Sequence, residues 1–76
     1  MSERLYMLMD HLELAEERIA LGKWVIAKRR ALRPELERDG HCAEMAEKLL
    51  VQFEELQAMN IADRNRIRAE LAELKP

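Results

Sequence analysis

His41-Cys42 is the pair in this chain best suited by residue type to chemistry. A thiol near a helix N-terminus can be shifted toward the reactive thiolate, and an adjacent histidine could assist. Sequence neighbours need not face one another, and a free cysteine behaves chiefly as a small buried hydrophobe. Cys42 therefore reads first as a small residue facing the core at a turn. A metal site would need further ligands, and His11 falls on a different helix near the opposite end of the fold. Ser2 is the only serine and threonine is absent, which removes the usual hydroxyl nucleophiles. No phosphate loop, dinucleotide glycine pattern, zinc-helix motif or nucleophile elbow is present. These residues predict no catalytic, cofactor-binding or metal-ligating side chains, no cofactor and no enzymatic activity.

Lys28, Arg29, Arg30 and Arg33 form a basic cluster that could meet an acidic partner or a phosphate backbone. Cations near a helix C-terminus also suit the helix dipole, and surface charge runs are usually just solvated. The four residues are spread around the helix, and Trp24 is the one aromatic among them, which weakens a base-stacking interface. The five methionines, Met1, Met7, Met9, Met45 and Met59, are scattered, so they read as gap-fillers and surface residues rather than as one adaptable binding face.

The elements that would position these groups are helical. Seventy-six residues make one small domain, near the lower limit at which a single apolar core suffices, so oligomerisation is expected. Helix-forming residues dominate, Gly and Pro occur twice each, and the 49% apolar content argues against disorder. The net charge of −2 is uneven: residues 1–33 carry seven basic and five acidic side chains, residues 34–76 six and ten. Opposite halves favour antiparallel docking, and the chain is not basic enough to make nucleic acid its default partner. One cysteine excludes an internal disulfide, and no apolar run approaches a membrane span of roughly 20 residues. The N-terminal residues lead into charged amphipathic sequence rather than a secretory apolar stretch, so a reducing cytoplasm is the expected location.

Apolar periodicity places one helix over about residues 3–38 and a second over about 43–74, with Ser2 as N-cap of the first. Asp39-Gly40 is a stop signal, and a turn over about 39–42 suits a helical hairpin. Pro34 disfavours helix at Arg33, but Leu36 keeps an apolar stripe in phase, so the first helix is expected to kink there and continue. That helix carries two apolar stripes. Leu5, Leu8, Leu12, Ala15, Ile19, Gly22 and Ile26 follow the three–four spacing of a coiled-coil seam. Met7, Leu14, Leu21, Val25, Leu32 and Leu36 lie well round the helix from it. A helix with two apolar faces needs two partners. The second helix shows one main face, Ala46, Leu49, Phe53, Leu56, Ile67, Leu71 and Leu74, widened by Leu50 and Ile61.

Three features interrupt this pattern. Gly22 reads as a tolerated defect or as room for a bulky neighbour such as Phe53. Asn60, Asp63 and Arg64 break the second helix's seam, and polar seam residues often set register. A hairpin closing near Asp39 brings residues 60–64 level with 14–18, making Arg18 a candidate ion-pair partner for Asp63.

The stretch Leu36-Glu-Arg-Asp-Gly-His41, then Ala46, Leu49-Leu50, Phe53-Glu54 and Asp63-Arg64-x-Arg66-Ile67, resembles a set of small uncharacterised bacterial helical proteins. Their pattern is close to L-E-R-x-G-H-D-T, A-x-x-L-L, F-E and D-R-x-R-L, and the likeness covers roughly residues 26–71. Where that pattern has an Asp-Thr pair to cap the second helix, this chain has Cys42 and Ala43. The resemblance implies short helical chains and brings no activity, substrate or partner.

The sequence thus predicts an all-α, single-domain, coiled-coil-like antiparallel hairpin, kinked at Pro34, that pairs into a four-helix bundle as a homodimer. The expected function is a non-enzymatic structural or protein-interaction module acting through helix–helix association, with itself or with another helical protein. Leu14, Leu21, Val25 and Leu32 are the candidate association residues. The alternative is a nucleic-acid-associated or regulatory protein using Lys28, Arg29, Arg30 and Arg33.

Overall fold

The computed structural model describes residues 2–38 and 43–74. Two helices fill them: α1, Glu3–Arg38, and α2, Ala43–Leu74. Both follow the expected bounds. Ser2 caps α1, its hydroxyl oxygen accepting a hydrogen bond from the Leu5 amide at 3.3 Å, which satisfies one of the amides that a helix start leaves without a partner. Pro34 lies inside α1, which continues to Arg38. Proline has no amide proton, so the Arg30 carbonyl loses its donor from that position. The expected turn over 39–42, with His41 and Cys42, falls outside the described residues.

The helices run side by side in opposite directions. Arg4 pairs with Glu70 at 3.9 Å near one end, Glu16 with Arg68 at 2.6 Å further along, and Arg30 with Glu54 and Arg33 with Glu47, both at 2.9 Å, nearer the other. Together they make a rod of 58 × 15 × 14 Å. No described helix is long and apolar enough to cross a membrane.

The first stripe of α1 is the seam. Leu8, Ala15 and Ile26 are buried, and Leu5, Leu12, Ile19 and Gly22 are partly buried. Leu8 and Ala15 join Ile67 and Leu71 of α2 in a core toward the termini, with Leu5 and Leu12 packed against it. On α2 the facing line differs from expectation. Leu50 is buried and Ile61 half-buried, whereas Leu49 and Leu56 are exposed. The reason is that α2 carries apolar residues over more than one stripe, so periodicity alone does not choose which of them turns toward α1.

Between the core and the buried pair Ile26 and Leu50, the seam admits a polar side chain. The Gln57 side chain reaches across to α1, where its amide nitrogen donates to the Ile19 carbonyl at 2.9 Å. A Cβ at residue 22 would collide with the Gln57 side-chain oxygen, so it is the missing side chain of Gly22 that admits this amide. The expected occupant, Phe53, instead lines a groove alongside.

Candidate association surface

The second stripe of α1 points away from the seam. Leu14, Leu21 and Leu32 are exposed, at 47%, 62% and 42%, and Val25 is half-buried. At about 100° per residue these four lie within roughly 40° of one another, about 130° round α1 from its seam. Met7 extends the line toward the N-terminus and is also exposed.

Sequence reasoning did not place a second strip on the same face. Met45, Leu49 and Leu56 of α2 are exposed, and their spacing sets them about 90° from the side of α2 that meets α1. Their signal was the unusual breadth of the apolar face on α2. Between the two strips runs a groove of about 410 Å³, lined by Leu21, Gly22, Val25, Phe53, Leu56 and Asn60 together with Arg18 and Gln57. The face is therefore two apolar ridges with a channel between them, and it lies midway along the rod.

The basic cluster is engaged locally. Arg30 and Arg33 form the ion pairs with Glu54 and Glu47. The Arg29 guanidinium lies over the Phe53 ring at 5.6 Å, and the Lys28 ammonium over the Trp24 ring at 5.4 Å, both within cation–π reach.

Asn60, Asp63 and Arg64, the polar break in the seam, are half-buried. Asp63 accepts from Arg66 at 2.5 Å on its own helix rather than from Arg18, although Arg18 and Asp63 border the same small cleft. A pair three residues apart on one helix is positioned by the backbone, whereas a cross-helix pair must order two long side chains. The hydrogen bond to Asp63 and its charge raise the Arg66 pKa above its ordinary value, with Glu70 contributing. Arg64 turns toward α1 and approaches Glu16 at 3.9 Å.

Among the described residues no three His, Cys, Asp or Glu side chains converge as a metal site would require. His11 is exposed. No known protein family's model matches this chain, and it has no match among curated proteins or solved structures.

Proposed function

We propose that this chain is a non-enzymatic interaction module that acts through helix–helix association, with two hairpins pairing into a four-helix bundle. The stripe of exposed Leu14, Leu21 and Leu32 with half-buried Val25 carries this reading. These side chains lie in line on a helix whose other apolar face is already used, and a contiguous apolar strip on a small protein marks an interaction site. Surface area supports it. The hairpin exposes 6097 Å², against about 4,900 Å² for a compact folded protein of its mass. The excess exceeds the roughly 800 Å² per partner that a stable interface buries.

The kink at Pro34 belongs to the same proposal, as a bend in the last turns of α1. So does a reducing cytoplasmic setting, for which the single cysteine is the support. Nucleic-acid binding through the basic cluster has less behind it, because Arg30 and Arg33 are already ion-paired to α2.

Sedimentation equilibrium over a wide concentration range, read with circular dichroism, tests the proposal. The expected result is a helical dimer, and Leu14→Glu with Leu21→Glu is expected to give soluble monomer. A wild-type monomer at all concentrations, or an oligomer indifferent to both substitutions, overturns it.

A further inference from the structure

We propose that the channel between the two apolar ridges binds a small anionic amphiphile, a carboxylate on a straight hydrocarbon tail. The site stands on the channel itself and goes beyond self-association.

The channel is polar at one end and apolar along the rest. Because the helices are antiparallel, its lining falls into levels: Arg18 with Asn60, then Leu21 with Leu56, then Val25 with Phe53. Seven residues of helix from Arg18 to Val25 span about 10 Å along the axis. The volume of about 410 Å³ suits a small molecule, since such sites run from about 300 to 1,000 Å³ and are apolar with a few polar groups that fix orientation. Gly22 and Gln57 also line the channel. The Gln57 amide nitrogen is spent on the Ile19 carbonyl, and its oxygen is buried and turned to Gly22. Neither atom therefore asks for a polar group where the tail would lie.

The polar end supplies the head-group chemistry. Among the described residues Arg18 has no ion pair and Asn60 no side-chain hydrogen bond. One turn away from Arg18 on α1 stand Leu14, Ala15, Leu21 and Gly22, so no acid of its own helix occupies the positions from which helical ion pairs form. Asp63 of α2 borders a cleft with Arg18, but it accepts from Arg66. A guanidinium fork without an acid matches the two oxygens of a carboxylate, and an adjacent amide adds a further donor. A cationic head is repelled there, and a neutral one gains no charge-assisted bond. At the far end Arg29 lies over the Phe53 ring and does not line the channel, so the head group has one end to choose.

Leu21 and Val25 also belong to the stripe proposed to carry association. A bound acid and a second copy then use the same walls, and each weakens the other by the same factor.

Equilibrium dialysis of labelled decanoate against the full chain, below the concentration at which decanoate forms micelles, tests the site. Decanol and decyltrimethylammonium serve as neutral and cationic comparisons, and circular dichroism checks that the helices persist. Saturable decanoate binding at least about tenfold tighter than either comparison is expected, and Arg18→Gln is expected to erase that preference. Leu56→Glu, at an exposed position, should abolish decanoate binding by setting a like charge in the channel. The inference is overturned by the absence of saturable binding, by equal binding of decanol, or by either variant binding decanoate as the wild type does. Sedimentation run alongside separates this from association. A dimer driven toward monomer by saturating decanoate supports the channel as the site. A dimer unmoved by it puts the ligand elsewhere and overturns the inference, while leaving self-association intact. A chain that is monomeric throughout, yet binds decanoate through Arg18, keeps the site and removes the proposed association.

Discussion

The two ends of this hairpin are held together by the same forces in different proportions, since cross-helix ion pairs flank both. Toward the termini, Leu8, Ala15, Ile67 and Leu71 close into an apolar core. Toward the turn, among the described residues, Ile26 and Leu50 are buried, Arg29 lies over the Phe53 ring, and the ion pairs Arg30 to Glu54 and Arg33 to Glu47 keep their side chains substantially in water. Apolar burial is not screened by salt, whereas exposed ion pairs are, and they contribute little. One pair of helices therefore has a firm half and a loosely stitched half, and the loose half is where α1 carries its basic cluster.

This contrast can be broken by mutation, with stability measured at fixed protein concentration because association adds to it. Ile67→Ala has the largest expected effect, a loss of about 2–4 kcal/mol in urea unfolding, since the side chain is 4% exposed within the core. Replacing Arg30 and Arg33 together by alanine is expected to cost about 1 kcal/mol or less, with the loss shrinking in high salt. Equal costs for the two experiments would refute the division into halves. Gly22→Ala should change least, within about 1 kcal/mol of zero. Alanine gains about 1 kcal/mol of helix propensity, while the displaced Gln57 amide gives up a hydrogen bond of about the same net value. A large loss there would mean that the polar middle, not the apolar end, anchors the hairpin.

Much of the fold was legible in the residues. Stripe spacing, the Ser2 cap and the phase of Leu36 gave both helices to their ends and carried α1 through Pro34. The antiparallel levels were legible too, because residues 60–64 do lie beside 14–18, with Arg64 near Glu16. What escaped was the rotation of α2. Leu49 and Leu50, or Leu56 and Gln57, are adjacent in sequence but about 100° apart in space, and a broad apolar face offers the counting rule no preference. Gln57 settles it, since only one rotation delivers its amide to Gly22. The candidate surface was half-legible for the same reason. The α1 strip has a narrow period, while its α2 counterpart was concealed among residues that looked like seam.

The fit of Gln57 into the gap left by Gly22 also works as an index pin. Two long helices with repeating apolar stripes can slide past each other by a turn and still bury hydrocarbon. Here a slip in either direction drives the Gln57 amide against the side chain of Ile19 or Ile26 and strips it of the Ile19 carbonyl. A polar group forced into hydrocarbon without a partner costs more than most of the contacts such a slip could recover. One glycine and one glutamine thus give a nearly uniform rod a single zero mark. Every distance along its outer face, including the spacing any partner must match, is counted from there.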